Sequence, residues 1–193
     1  MDYDEMLLHK SKELLEAMDS EVENVMPHEL ADIVKFYSKG AAAAALAAAW
    51  IPGAGGTAAA LTSAGFIWTM YGKIGAKIGL PFGQNVLKSL ASGAATNLAA
   101  SAVGAIAIAT ALSFIPGLGS IGASVVMGAT SYAVTLASGY LYLKILTKLF
   151  SKGVDLTTVS EKELKDMANS VAEDNDVQEV LKKAKANFRN SSS

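Results

Sequence analysis

The 193-residue chain predicts an all-α fold: two pseudo-repeated helical hairpins with Pro-Gly tips, flanked by amphipathic acidic helices. Three observations carry that expectation. Two long stretches contain no charged residue, 33 positions over 40–72 and 55 positions over 89–143. Each is interrupted by one Pro-Gly turn, Trp50-Ile51-Pro52-Gly53-Ala54-Gly55 and Phe114-Ile115-Pro116-Gly117-Leu118-Gly119. Proline cannot continue a helix interior and glycine supplies permissive backbone angles, so each stretch divides into two helices around a tight bend. The two turns align at an offset of 64 residues, each led by an aromatic residue, which reads as an internal duplication.

Charge divides the chain into three regions that a net charge of −2 conceals. Residues 1–32 hold ten acids against Lys10 and Lys12, and residues 155–193 hold eight acids against five lysines and Arg189. Residues 33–154 hold no acid and eight lysines: Lys35, Lys39, Lys73, Lys77, Lys88, Lys144, Lys148 and Lys152. Hydrophobic residues make up 51% and charged residues 18%, against about a quarter charged in ordinary soluble domains. That balance disfavours disorder, collagen and nucleic-acid binding. The absence of cysteine excludes disulfides, thiolate metal sites and cysteine nucleophiles.

Taken in chain order, Met6, Leu7, Lys10, Leu14, Leu15 and Met18 give a helical stripe in the acidic N-terminal region, and a helix resumes at His28 after Pro27 with Leu30, Ile33 and Val34. The first hairpin pairs 31–50 with 54–79. Leu80-Pro81-Phe82-Gly83 leads to the second, which pairs 84–113 with 118–151. Beyond it, Thr158 or Ser160 followed by Glu161 and Glu163 caps a helix carrying Leu164, Met167 and Val171, and Asp176 to Phe188 adds Val177, Val180, Leu181 and Ala184. Both acidic tails are suited to fold back as a lid over the lysines, or to dock a partner.

Each uncharged stretch exceeds the roughly 18 to 20 apolar residues that mark a transmembrane candidate, which favours membrane insertion. All eight lysines lie toward the open ends of the hairpins, away from the Pro-Gly tips. Positive-inside bias then places that rim and both termini in the cytoplasm, at an inner or cytoplasmic membrane, with the lysines meeting anionic lipid headgroups. Burial in a helical bundle is the rival, because a helix apolar all round can be covered by protein. Ala41–Ala45 and Ala47–Ala49 are only weakly hydrophobic, and the first arm reaches the ~30 Å of a bilayer core only by including Lys35 and Lys39. A re-entrant or tilted arm is the remaining option. The acidic start, Met1 to Asp32, carries no apolar segment of the kind a secretory leader requires.

Gly93, Asn97 and Ser101 recur at spacing four, and Gly104, Gly128 and Gly139 lie among Ala, Ser and Thr. Small residues in that pattern let helices approach closely. Packing within the hairpins is the first expectation and assembly into a homo-oligomer the second; Asn97 reads as an interhelical hydrogen-bonding group. Little points to chemistry. His9, four residues before Glu13, and His28 do not make a metal site. The run Gly53-Ala54-Gly55-Gly56-Thr57 lacks the Gly-Lys-Ser/Thr ending of a phosphate loop, and no nucleophile elbow occurs. No catalytic residue, cofactor or metal is expected.

Ile51-Pro52-Gly53-Ala54-Gly55, then Met70-Tyr71-Gly72-Lys73-Ile74-Gly75, then Ile115-Pro116-Gly117-Leu118-Gly119 with Thr135 and Gly139 after it, together resemble a bacterial family of alanine- and glycine-rich predicted membrane domains. Its function is unassigned, and its members are often fused to, or encoded beside, Era-like or dynamin-like GTPases. The resemblance covers about residues 45–150. It departs where Gly56 stands in place of an acid common in the family's first turn, and no GTPase domain accompanies it here. It implies a noncatalytic membrane module with a possible GTPase partner, and it transfers no catalytic residue. The expected role is anchor, scaffold or membrane remodelling. Two alternatives stand beside it: a pore-former that inserts from a soluble bundle, and a soluble helical module that binds lipid or another apolar ligand.

Overall fold

The structure is a computed structural model that describes residues 27–48, 55–80, 83, 90–94, 98, 119–152, 159–177, 179–180 and 183. Among these are four long helices: α1 (His28–Ala48), α2 (Gly55–Lys77), α3 (Gly119–Ser151) and α4 (Glu161–Ala172). The described residues contain no strand, and the fold is all-α. Residues 90–94 and 98 are also helical, with Leu90, Ala91, Ala94 and Leu98 in the core.

Local chemistry sets the helix ends close to where the sequence puts them. The helix expected to resume at His28 does start there and runs unbroken into the first arm, drawn from residue 31, with the Pro27 carbonyl accepting from the N–H groups of Leu30 and Ala31 at 2.9 and 3.0 Å. Glu29 and Asp32 therefore share one helix with Lys35 and Lys39. α2 and α3 open on Gly55 and Gly119, the last glycines of the two turn motifs, 64 positions apart. α2 ends in a Schellman motif: Gly79 takes φ +72°, its N–H donates to the Ala76 carbonyl at 3.4 Å, and the Leu80 N–H donates to the Gly75 carbonyl at 2.8 Å. Of the predicted turn residues, Pro52, Gly53, Pro116 and Gly117 lie outside the described residues. So do most of the 84–113 arm and the N-terminal stripe of residues 1–26.

α1 packs against both α2 and α3, which also touch each other, while α4 lies on α3. Cross-helix contacts fix the directions. Val34 and Leu46 of α1 meet Gly139 and Gly128 of α3, so these helices are antiparallel. Ser63 and Tyr71 of α2 bond to Ser131 and Ser138 of α3, so these are parallel. α3 is the central element. Every residue from Ser131 to Gly139 is buried, so protein covers it on all sides over more than two turns.

The apolarity of these helices bears on the expected insertion. Among the described residues no helix is long and apolar enough to cross a membrane. α3 has the length, at 33 residues, but Ser124, Thr130, Ser131, Thr135 and Ser138 dilute its apolar run, as Ser63, Gly65, Thr69 and Gly72 dilute that of α2. An uncharged stretch is not the same as an apolar one, and the absence of charge led the expectation.

Candidate functional site

The lysines converge because of helix direction. α2 and α3 are parallel and both carry lysines in their last turns, where cations complement the helix dipole; antiparallel α1 brings its acidic first turn to the same end. Glu29 Oε2 accordingly lies 3.0 Å from Lys77 Nζ. Lys73 and Lys152 are exposed at this end. Lys39 departs from the expected rim: it lies 11 positions from His28, about 16 Å along α1, and together with half-buried Lys35 it extends the cationic surface up the side of the bundle. Lys88 lies outside the described residues.

The C-terminal region closes over α3. Ser160 caps α4 in a full capping box: its Oγ accepts from the Glu163 N–H at 3.2 Å, and Glu163 Oε2 accepts from the Ser160 N–H at 2.9 Å. Hydrogen bonds from the Ser160 hydroxyl and backbone hold the Glu163 carboxyl below its ordinary range. Leu164, Ala168 and Val171 bury one face of α4, and Val177 follows in the next turn. This seats Asp174 beside the lysines. Its Oδ2 lies 3.2 Å from Lys144 Nζ and 3.4 Å from Lys148 Nζ, and Asp176 Oδ2 lies 2.6 Å from Lys144 Nζ. The Lys144 and Lys148 hydrogen bonds hold the Asp174 carboxyl below its ordinary range. Burial alone would lower Lys144, but its hydrogen bonds to Asp176 and Asp174 outweigh that and raise it. Asp174 and Asp176 thus lie over Lys144 and Lys148 as a lid.

Large apolar side chains are exposed beside these charges. Phe36 is 71% exposed, Phe150 53% and Ile78 39%. Ile78 and Phe150 adjoin Lys77 and the segment Lys148–Lys152, while Phe36 sits between Lys35 and Lys39.

Sequence reasoning missed a seam of buried hydroxyls between α1, α2 and α3. Ser63 and Ser131 bond to each other, and Ser131 also donates to the Ala41 carbonyl at 3.2 Å. Thr135 donates to the Ser131 carbonyl at 2.8 Å, and the Tyr71 hydroxyl bonds to the Ser138 carbonyl and Oγ at 3.0 and 2.8 Å. The hydroxyls of Ser38 and Tyr142 are buried without a hydrogen-bond partner. The spacing of Ser131, Thr135 and Ser138, one every helical turn, was the available signal.

The small-residue candidates divide. A Cβ on Gly139 would fall 2.7 Å from Val34 Cγ2, one on Gly128 2.8 Å from Leu46 Cγ, and one on Gly40 2.6 Å from Phe66 Cε1. These glycines let α1 lie close against its neighbours, so Gly128 and Gly139 serve packing inside the chain. Gly93 has open space where a Cβ would stand. Asn97, Ser101 and Gly104 lie outside the described residues. His28 Nδ1 is 3.3 Å from Asp32 Oδ2 with both side chains exposed, and no group of three or more metal-ligating side chains occurs among the described residues.

No family model matches the chain, and neither a curated protein nor a solved structure shows significant similarity to it.

Proposed function

We propose that the chain is a noncatalytic helical module that associates with anionic membrane surfaces through its lysine-bearing end and serves there as an anchor or scaffold. The observation that carries this is the conjunction of exposed Lys73, Lys77 and Lys152 with exposed Ile78 and Phe150 at one end of the bundle. Cationic side chains with apolar neighbours suit a membrane interface, where each lysine near an anionic surface contributes on the order of 1 kcal/mol and buried apolar area adds to it. The resemblance to GTPase-associated domains suggests what would be anchored. Flotation of the full chain with phosphatidylcholine vesicles, with and without anionic lipid, tests the proposal. Binding to anionic vesicles should fall about tenfold or more in Lys73→Gln/Lys77→Gln/Lys152→Gln and weaken further with Phe150→Ser; unchanged binding would remove the proposal.

A second reading, a bundle that opens and permeabilises a membrane, is favoured by the hydroxyl seam. The two buried hydroxyls that lack partners, Ser38 and Tyr142, would gain hydrogen bonds by meeting water, which offsets part of the cost of opening. Release of a trapped dye from anionic vesicles separates the two, since tight binding without leakage leaves only the anchor.

A further inference from the structure

We propose that Lys144 and Lys148 form a binding site for the phosphate group of an anionic lipid, and that Asp174 and Asp176 occupy this site in the closed bundle as carboxylate stand-ins. The proposal rests on the membrane association put forward above and identifies the headgroup chemistry and its control.

The two lysines lie one helical turn apart on one face of α3, and their ammonium groups converge on a single oxygen, Asp174 Oδ2, at 3.2 and 3.4 Å. Lys144 needs a second carboxylate as well, Asp176 Oδ2 at 2.6 Å. The protein thus sets two negative groups against one pair of cations. A phosphate monoester supplies the same in one group, with about −1.5 to −2 charges and three acceptor oxygens. Lysine ammonium groups are point charges with three rotatable donors each, so exchanging carboxylate for phosphate requires no particular fork geometry.

The carboxylates are held in place independently of the lysines. The Asp174 N–H donates to the Val171 carbonyl at 3.0 Å, and the flanking Val171 and Val177 side chains are fully buried. The acidic turn is therefore a tethered competitor with a high local concentration. Both Asp174 contacts are part-buried and the Asp176 contact is exposed, so solvent reaches each pair at least in part, and an anion arriving on a multivalent surface competes first at the exposed Asp176 contact. Lys152 continues the row at the next turn, and exposed Phe150 lies between it and Lys148, so a bilayer presenting phosphate meets all of these together.

The test uses the full chain with phosphatidylcholine vesicles containing or lacking phosphatidate. Asp174→Asn/Asp176→Asn should tighten binding to phosphatidate vesicles about tenfold, and adding Lys144→Gln/Lys148→Gln should abolish that gain. The charge-matched pair Asp166→Asn/Glu179→Gln should gain less than about twofold. Melting curves followed by circular dichroism establish that each variant is folded. Inorganic phosphate, titrated into Asp174→Asn/Asp176→Asn, should shift the Nζ resonances of Lys144 and Lys148 ahead of those of Lys73 and Lys77. Equal gains in the two acid-neutralised pairs overturn the site and leave the membrane proposal standing. Phosphate shifts confined to Lys144 and Lys148 without vesicle binding by any variant support the site and overturn the membrane as its source. Absence of both overturns the two together.

Discussion

Tyr71 of α2 stacks on Tyr142 of α3, with ring centroids 4.1 Å apart and planes 12° apart. The two phenols meet the same burial with opposite outcomes. The Tyr71 hydroxyl bonds to Ser138, whereas that of Tyr142 has no partner. Burial raises the titration of both well above the ordinary tyrosine range, so both are neutral at any physiological pH.

Removing each hydroxyl should therefore change stability in opposite directions. Tyr71→Phe leaves Ser138 Oγ without its buried partner and should cost about 1 to 2 kcal/mol. Tyr142→Phe removes an unsatisfied donor and should be neutral or stabilising, by up to about 1 kcal/mol. Urea unfolding of both variants measures the difference, and a larger loss from Tyr142→Phe would contradict it.

Glycine substitutions discriminate packing from propensity. Gly139→Ala drives a methyl into Val34 and should cost about 1 to 3 kcal/mol, with partial recovery when Val34→Ala is added. Gly65→Ala, in an exposed α2 position with open space, should stabilise by about 0.5 to 1 kcal/mol. Thermal melts of the three variants check the ordering.

The acidic lid should open in acid. Asp174 has its carboxyl lowered by Lys144 and Lys148, so its contribution is present above the ordinary aspartate value near 3.8 and is lost as pH falls through the lowered one. Lys144 is raised, so its contribution holds below its ordinary 10.5 and disappears only as pH rises past the higher value. The groups facing this contact are Lys144, Lys148 and Tyr140 from α3 and Asp174 and Asp176 from the C-terminal turn. Hydrogen exchange across residues 161–177 should be flat between about pH 5 and 9, after correction for intrinsic rates, and faster near pH 3.

The capping box sets how firmly α4 is held. Ser160→Ala removes the acceptor for the Glu163 N–H and should cost about 1 kcal/mol, with fraying over residues 161–164. Ser160→Thr, which keeps the hydroxyl for both the Glu163 N–H and its carboxylate, should retain most of that stability. Amide exchange at Glu163 and Leu164 reports the effect directly.

Helix ends were legible in the sequence because their chemistry is local. Pro27 and the pair Ser160 and Glu163 each act within one turn, and the described starts of α1 and α4 and the end of α2 lie within about three residues of the expected ones. The encounter of acidic tail with lysine end was legible too, since opposite charges on amphipathic tails suggested a lid, although nothing local singled out Asp174 and Lys144. The hydroxyl seam was not. Ser63, Ser131 and Ser138 look like small-residue filler until the parallel packing of α2 on α3 sets Ser63 against Ser131, 68 positions apart, and Tyr71 against Ser138. Membrane spans were read from freedom from charge, which the sequence displays, whereas the dilution by serine, threonine and glycine acquires meaning only beside the enclosed segment Ser131–Gly139.

α1 touches both α2 and α3, and its contacts run through three close glycine approaches, at Gly40, Gly128 and Gly139. Close approaches of this kind do not loosen gradually, because a small separation already forfeits much of the dispersion contact. Displacing α1 therefore bares α2 and α3 in the same event, together with the Ser131 hydroxyl that had reached the Ala41 carbonyl. Exposure of the faces that α1 covers on α2 and α3 is therefore tied to the movement of one helix.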